Sequence, residues 1–343
     1  MPDRVIRTFG PGRVNLIGEH TDYNGGLALP FAIDRGVTVE AERLAGGEIR
    51  AEAPDAGESD AFDAAAPGRA DGWRAVVRGT VAELRAAGVE IGGARLEIAG
   101  DLPQGSGLSS SAALETALCL ALLAVADAPE PDRIELAKLC SRVENDWVGA
   151  ETGLLDQLAA LCCEPGHALR IDFATLALAA VPLELHDWRL VTLESGAEHE
   201  HAAGGYNERR AECRAACEAL GVELLSAADP AAAERLPEPL DRRARHVLSE
   251  NERVDAMVAA LRAGDLPAAG ALLDASHASL RDDYEASLPD VEAAVQALRD
   301  AGAAGARMVG GGFGGSVLAL MPPGVDPPSG SVAVAPGPPA RRL

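Results

Sequence analysis

Residues 94–126, ARLEIAGDLPQGSGLSSSAALETALCLALLAVA, constrain the fold more than any other part of this 343-residue sequence. They predict a strand, then a loop of glycine and serine, then a long apolar helix. The apolar run contains Glu115 and Thr116, and it is too short and too polar to cross a bilayer. A chain built around this segment must therefore combine sheet with helix, and its 48% of apolar residues is enough to fill a sizeable core.

The rest of the sequence predicts a mixed α+β protein. Strands are predicted at 14–17, 27–33, 37–42, 168–173, 176–183 and 188–195, in the strand-like run after the glycines at 310–315, and at 331–335 in the tail. Helices are predicted at 73–87, 132–147 and 151–163, and over most of 206–301 with breaks near 229–239 and 264–267. The small, acidic residues 53–72 indicate an exposed loop. Length and this distribution indicate two domains, residues 1–180 and 181–343.

Charge excludes several classes of partner. The net charge is -23 and the pI is near 4.6, which argues against binding to nucleic acid or to an anionic membrane surface, since both need basic patches. The single lysine, Lys138, lies in AKLCS, so no Gly-Lys-Ser/Thr phosphate loop is possible. The first residues, MPDRVIRTFGPGR, lack the apolar region of a signal peptide. Together with six cysteines that form no CxxC pair, this predicts a cytoplasmic protein with reduced thiols.

The glycine-serine loop has two interpretations. Glycines allow backbone N–H groups to approach an anion, and the following helix N-terminus adds unpaired donors and a positive dipole end. The loop could therefore hold the phosphates of a nucleotide, and its hydroxyls could bind phosphate oxygens or magnesium. The alternative is a serine-rich N-terminal cap on a core helix. The residues concerned are Gly105, Ser106, Gly107, Leu108, Ser109, Ser110 and Ser111.

A second polar cluster lies in NLIGEHTDYNGG, residues 15–26. Its carboxylates and imidazole are the groups that bind a polyhydroxylated ligand, because each carboxylate accepts from two hydroxyls. Buried without such a ligand or water, this cluster would be unfavourable. The alternative is an ordinary capped turn ending in Asn-Gly-Gly. The candidate ligands are Glu19, His20, Thr21 and Asp22.

Other candidates are weaker when taken alone. Asp156 lies in the mostly apolar TGLLDQLAALCC and becomes a candidate base if it points inward, with Arg13 as its partner. Glu144 is a candidate magnesium ligand, although such a carboxylate is ordinarily solvated. GGGFGG at 310–315 matches GxGxxG, but a strand-like run follows it instead of a helix, so a dinucleotide site is not expected. His199 and His201 are interpreted as part of a solvated loop.

Together these motifs resemble the galactokinases, a branch of the GHMP small-molecule kinase superfamily. The resemblance rests on GRVNLIGEHTDYNGGLALP (12–30), PQGSGLSSSAALE (103–115), GGGFGGSVLAL (310–320) and GYNERRAEC (205–213). It implies a kinase that phosphorylates the anomeric hydroxyl of galactose with ATP and Mg²⁺. It also implies an N-terminal domain like ribosomal protein S5 domain 2, a ferredoxin-like C-terminal domain, and an active site between them.

The resemblance assigns a role to each candidate residue. It implies that Glu19, His20, Thr21 and Asp22 bind the sugar, with Gly153 and Tyr206 as further contacts. The loop from Gly105 to Ser111 would hold ATP, and Ser111 and Glu144 would hold magnesium. Asp156 would act on the anomeric hydroxyl and Arg13 would stabilise the transferring phosphoryl group.

The sequence departs from the family pattern in places. ETGLLDQ (151–157) stands where the family has a cysteine-containing run, Ser316 stands where cysteine is common, and residues 196–205 are unusual. Only PPGVDPPSG stands where a helix is usual before the last strand. Two alternatives stay open, a kinase for N-acetylgalactosamine or L-arabinose and a non-catalytic sensor of galactose and ATP. We expect a monomer.

Overall fold

The computed structural model describes residues 5–102, 107–150, 152–196 and 202–343. Within these ranges the strands are β1 Ile6–Asn15, β2 Leu27–Ala28, β3 Pro30–Leu44, β4 Glu48–Ala53, β5 Glu58–Asp63, β6 Gly93–Gly100, β7 His167–Asp172, β8 Ala177–Pro182, β9 Arg189–Glu194, β10 Gly305–Met308, β11 Ser316–Met321, β12 Val332–Val334 and β13 Arg341–Arg342. The α-helices are α1 Trp73–Ala86, α2 Ser110–Val125, α3 Arg133–Arg142, α4 Leu155–Cys162, α5 Ala202–Leu220, α6 Pro230–Ala233, α7 Leu240–Ala263, α8 Leu266–Asp282 and α9 Pro289–Asp300. The α+β class predicted from the sequence is confirmed.

The N-terminal half is built on a six-stranded sheet with the order β13-β1-β3-β6-β4-β5. The predicted apolar helix is α2, which packs on β1 and β3 and is buried from Ala112 to Val125. The two elements approach so closely that a Cβ added at Gly10 would lie 2.0 Å from the carbonyl oxygen of Ala113. This contact fixes the N-terminus of α2 relative to the end of β1.

The C-terminal half is built on a four-stranded antiparallel sheet with the order β10-β11-β9-β12. In chain order this is 2-3-1-4, the arrangement of a ferredoxin-like domain, and α8 and α9 pack on it. Although residues 322–331 form no helix, β12 still pairs with β9. The short tail therefore keeps the last strand of this sheet.

The two halves share a core, and the last strand of the chain joins the N-terminal sheet. One cluster of buried side chains combines Val14, Leu16 and Leu29 with Leu190, Val254 and Leu318. At the end of the chain β13 pairs with β1, so the last residues return to the N-terminal sheet. A small sheet, β2-β7-β8, lies beside the turn that follows β1. These contacts hold the segment from Asn15 to Leu27 between the halves.

Several predicted boundaries were wrong. Residues 53–72 are not wholly loop, because β5 pairs there with β4 and a 3-10 turn joins them at Pro54–Ala56. The helix predicted for 132–147 is α-helical only to Arg142 and continues as a π-helical turn, Val143–Val148. The next helix begins at Leu155 instead of 151. In each case tertiary pairing or packing overrides local pattern.

The six cysteines are free thiols, as predicted. In the part of the chain that the structure describes, no helix has the length and hydropathy needed to cross a membrane.

Candidate active site

A cavity of about 450 Å³ opens between the two halves of the molecule. Five segments of the sequence meet around it. It is lined by residues of the end of β1 and the polar turn that follows it (residues 15–26), the loop and first turn of α2, the segment before α4 with the first turn of that helix, the start of α5, and the glycine-rich turn between β10 and β11. Thus the polar turn, the glycine-serine loop and the C-terminal glycines, which are far apart in sequence, face one cavity.

Arg13 and Asp156, which both line this cavity, form an ion pair. Arg13 Nε and Nη2 each lie 2.7 Å from Asp156 Oδ1, and Nη1 donates to the carbonyl of Gly107 at 2.6 Å. Burial opposes the charge of Arg13, but the nearby carboxylates, Asp156 above all, outweigh burial and raise its pKa above the ordinary value. The contact expected between these two residues is present.

Ser109 makes the second contact with this carboxylate. Its hydroxyl donates to Asp156 Oδ2 at 2.5 Å, so each oxygen of Asp156 has a different partner. Ser109 adopts a left-handed conformation with a φ of 64°, and it precedes α2 without its side chain capping the helix. The Ser109 hydroxyl therefore does not cap α2.

Ser111 and Glu144 meet beside the first turn of α2. The Ser111 hydroxyl donates to Glu144 Oε1 at 2.7 Å, while Gln157 and Thr152 donate to Oε2 at 2.6 and 3.1 Å. Burial, with a further contribution from the charge of Asp156, raises the pKa of Glu144. Glu144 is thus buried in the site, which excludes the solvated-face interpretation.

Glu19 is held by the C-terminal half. Its Oε1 accepts from the backbone N–H of Gly310 at 2.8 Å and lies 3.2 Å from Arg307 Nη2. Arg307 is fully buried and also donates to the carbonyls of Asn15 and Leu16 at 3.0 Å each. The carboxylate is thereby fixed at the edge of the cavity.

His20 follows in a left-handed conformation with a φ of 60° and is almost completely buried. Its Nδ1 lies 2.8 Å from the hydroxyl of Tyr23, and its Nε2 lies 3.1 Å from the carbonyl oxygen of Gly311. Burial, reinforced by the nearby charge of His246, lowers the pKa of His20 to about 3. The imidazole is therefore neutral at physiological pH.

The next two residues differ in where their side chains lie. The hydroxyl of Thr21 is 2.7 Å from the carbonyl of Leu27 and 3.0 Å from that of Gly18, inside the turn. Asp22 lines the cavity, and burial raises its pKa to about 6. A Cβ added at Gly153 would lie 1.9 Å from Asp22 Oδ2, so only glycine leaves room for this carboxylate. The turn is thus not an ordinary exposed hairpin loop.

Tyr206 closes the cavity from α5. Its ring centroid lies 5.3 Å from that of His20 and 5.7 Å from that of Tyr23. A Cβ added at Gly311 would lie 2.9 Å from the Tyr206 ring, so the glycine-rich turn packs directly on the tyrosine. The glycines of GGGFGG therefore allow close packing on Tyr206. A strand, β11, follows them, where a dinucleotide site would have a helix.

The loop before α2 is only partly described. Gly107, Leu108, Ser109, Ser110 and Ser111 all line the cavity. The predictions for Gly105 and Ser106, and those for His199 and His201, lie outside the described residues. Leu108 accepts from the backbone N–H of Arg13 at 3.0 Å, which holds this loop against β1.

Sequence reasoning missed the residues that fasten the polar turn from behind. Glu250 accepts from the N–H of Gly18 at 3.0 Å and from Ser276 at 2.6 Å, and Asn251 accepts from the N–H of Leu27 at 2.8 Å. Burial opposes the charge of Glu250, but Arg253 and other cations outweigh it and lower its pKa to about 2. No local pattern marks these residues, because the N–H groups of Gly18 and Leu27 that they accept from are more than 200 positions away.

Comparison with known families agrees with this arrangement. The galactokinase galactose-binding signature matches residues 2–43, the GHMP kinase N-terminal domain matches 75–164, and the GHMP kinase C-terminal domain matches 257–330. These three segments carry most of the cavity lining described above.

Curated relatives match over nearly the whole chain. A galactokinase of Streptomyces coelicolor is 43% identical over 91% of this chain and 83% of its own length. A galactokinase of Mycobacterium tuberculosis is 46% identical over 91% and 88%.

Solved structures agree with the sequence matches. A crystal structure of Lactococcus lactis galactokinase complexed with galactose is 34% identical and superposes with a TM-score of 0.91, covering 99% of this chain and 95% of that one. Methanococcus jannaschii mevalonate kinase shares the fold at a TM-score of 0.67 and 20% identity, covering 93% and 91%. From these matches and the site geometry, the chain belongs to the galactokinase family of the GHMP kinases.

Proposed function

We propose that this protein transfers the γ-phosphoryl group of ATP to the anomeric hydroxyl of D-galactose, giving galactose 1-phosphate and ADP. The observation that carries the proposal is the Arg13–Asp156 pair, which lies between the polar turn and the N-terminus of α2 in a single cavity. The galactokinase relatives, over nine tenths of the chain, support the choice of sugar.

Asp156 and Arg13 divide the chemistry between them. Phosphoryl transfer depends mainly on positioning and on offsetting charge on the transferring group. The carboxylate of Asp156 accepts a hydrogen bond from the anomeric hydroxyl and takes its proton as the new O–P bond forms and the bond from the γ-phosphorus to the bridging oxygen of ADP breaks. Arg13, which holds that carboxylate at 2.7 Å, offsets negative charge on the phosphoryl group.

The sugar is held by groups on the other wall. Glu19 and Asp22 accept hydrogen bonds from its hydroxyls, His20 and Tyr206 line its pocket, and Gly153 leaves room for the Asp22 carboxylate. Thr21 supports the turn from inside instead of touching the ligand, because its single O–H already donates to a backbone carbonyl, at 2.7 Å to that of Leu27.

ATP phosphates fit at the first turn of α2, beside Gly107 to Ser111. The sequence motif assigns Gly105 and Ser106 to the same phosphate loop. The helix supplies unpaired N–H groups and a positive dipole end there, in a chain with a net charge of -23. The N–H groups and the dipole of α2 thus supply the positive potential that a phosphate-loop lysine would otherwise provide.

The side-chain oxygen atoms beside the first turn of α2 are of the kind that binds magnesium. Ser111 and Glu144 present a hydroxyl and a carboxylate 2.7 Å apart, and magnesium needs only one or two protein oxygens besides phosphates and water. The described residues contain no cluster of three or more metal-binding side chains, so the remaining ligands would be phosphate oxygens and water. When bound, the ion supplies neutralisation of phosphate charge.

A substrate panel tests the proposed function. ADP release with ATP and magnesium should be fastest with galactose and slow with N-acetylgalactosamine and L-arabinose. Turnover of another sugar without turnover of galactose would replace the proposed substrate. Tight galactose binding with no ADP release would favour the sensor alternative.

We also propose a two-domain division at residues 1–180 and 181–343, a monomer, and a cytoplasmic location. Separate helices and sheets on either side of the shared core support the division. Light scattering of the purified protein would test the monomer, and fractionation of the source cells would test the location.

A further inference from the structure

The three tyrosines of this aromatic-poor chain all surround one histidine. The ring centroids of Tyr284, Tyr206 and Tyr23 lie 4.6, 5.3 and 5.9 Å from that of His20. Only Tyr206 was expected near the sugar from the sequence. The other two have no role in the phosphoryl transfer derived above.

Tyr23 and Tyr284 form a line of hydrogen bonds that ends on His20. The Tyr23 hydroxyl lies 2.8 Å from His20 Nδ1 and 2.8 Å from the Tyr284 hydroxyl. The Tyr284 hydroxyl lies 3.0 Å from Cys213 Sγ. We name this series, from Cys213 through Tyr284 and Tyr23 to His20, the tyrosine relay.

One carbonyl sets the direction of every bond in the tyrosine relay. The carbonyl of Gly311, 3.1 Å from His20 Nε2, can only accept, so Nε2 carries the proton. A neutral imidazole has a single N–H, so Nδ1 accepts and Tyr23 donates to it. The Tyr23 oxygen then accepts from Tyr284, whose oxygen accepts from the Cys213 thiol.

This arrangement gives His20 a specific task. Its one N–H is committed to Gly311, and the neighbouring Gly310 donates its N–H to Glu19 at 2.8 Å. The imidazole therefore ties the glycine-rich turn of the C-terminal half to the turn that presents Glu19. Tyr206 also packs against Gly311.

We propose that Tyr23 and Tyr284 are positioning residues that hold His20 as its Nε2–H tautomer, in which His20 donates to the carbonyl of Gly311 and holds the glycine-rich turn over the sugar pocket. This rests on the proposed function in that the pocket is taken to bind galactose. His20 thus fixes the glycine-rich turn, whose Gly310 in turn holds Glu19.

The tautomer itself is the first test and needs no substrate. In protein labelled with ¹⁵N-histidine, the His20 resonances, assigned by their loss in His20→Gln, should show a protonated Nε2 and an accepting Nδ1. In Tyr23→Phe the Nδ1 resonance should move to the position of an unbonded acceptor. An Nδ1–H tautomer in the wild-type protein would overturn the proposal, whether or not galactose is phosphorylated.

Kinetics give the second test. Tyr23→Phe keeps the ring and removes one neutral hydrogen bond, so KM for galactose should rise about fivefold while kcat and KM for ATP stay within about twofold. Because the bonds act in series, Tyr23→Phe/Tyr284→Phe should match Tyr23→Phe alone. Thr80→Val, which removes a buried hydroxyl bonded to Val76 in α1, is the matched control and should leave KM unchanged. An unchanged KM in Tyr23→Phe, or effects of the two substitutions that multiply, would refute the relay.

Discussion

At the residue scale, the chemistry depends on one carboxylate with two kinds of donor. Asp156 accepts from Arg13 at one oxygen and from Ser109 at the other, and both donors come from distant segments of the chain. The sequence suggested the first contact but not the second. Ser109 has a left-handed backbone, and its hydroxyl donates to Asp156.

Asp156→Asn should keep galactose binding and lose about 10²–10⁴ in kcat, because the amide cannot take the proton of the anomeric hydroxyl. Galactose affinity by calorimetry and ADP release by a coupled assay measure the two effects separately. Asp187→Asn, at an exposed turn, is the control and should behave as wild type. A near-normal turnover in Asp156→Asn would remove this residue from the role of base.

Asp22 should make galactose binding depend on pH. Burial raises its pKa to about 6, so the carboxylate that accepts from the sugar is ionised above that pH and protonated below it. Galactose affinity measured without ATP should therefore fall as the pH is lowered from 7 to 5, a range in which an ordinary aspartate stays ionised. Asp22→Asn should bind weakly and lack this dependence. An equally steep pH dependence in that variant would assign the titration to another group.

At the scale of elements, the close contact between α2 and β1 determines where the glycine-serine loop lies. Gly10 allows the backbone of α2 to approach β1, and Arg13 at the end of the same strand reaches the loop through Gly107 and Leu108. The loop and the helix were predicted from pattern alone, whereas the strand was predicted only at 14–17 and β1 begins at Ile6. Their packing was not predicted, since a glycine in a strand does not say which element approaches it.

Gly10→Ala should destabilise the fold by roughly 1–3 kcal/mol or more, because the new methyl would overlap the carbonyl of Ala113. Urea denaturation measures the change. Gly204→Ala, in α5 with nothing within 4 Å of its added Cβ, should be stabilising by about 0.5–1 kcal/mol. Equal effects of the two substitutions would show that the contact is not tight.

At the scale of the whole molecule, a buried cation joins the halves. Arg307 in β10 donates to the carbonyls of Asn15 and Leu16 and pairs with Glu19, which belong to the N-terminal half. Glu250 from α7 accepts from the same turn at Gly18. The polar turn therefore keeps its shape only when the C-terminal half is packed behind it.

Arg307→Gln should lower the free energy of unfolding by about 3–5 kcal/mol, because Glu19 and two carbonyls lose a fully buried partner. Arg245→Gln removes an arginine that pairs with Asp241 and Asp283 on the surface, and its effect should be below about 1 kcal/mol. Denaturant unfolding of both variants measures the difference. A loss below about 1 kcal/mol in Arg307→Gln would argue against its role in joining the halves.

The sequence alone determined the α+β class, the order of most elements, and the residue types that carry the chemistry. It could do so because strands, helices and glycine-serine loops follow from local pattern, and because a polyhydroxylated ligand and a triphosphate need particular donors and acceptors. Tertiary structure decided which of those side chains face the cavity. The Thr21 side chain lies inside its turn, and the Ser109 hydroxyl donates to Asp156. Tyr284 and Arg307 contact Tyr23 and Glu19 from more than 260 positions away in the sequence. Hydrogen bonds and ion pairs at 2.5–3.2 Å require atoms to be brought together in space, and only the packing of the two halves around their shared core does that.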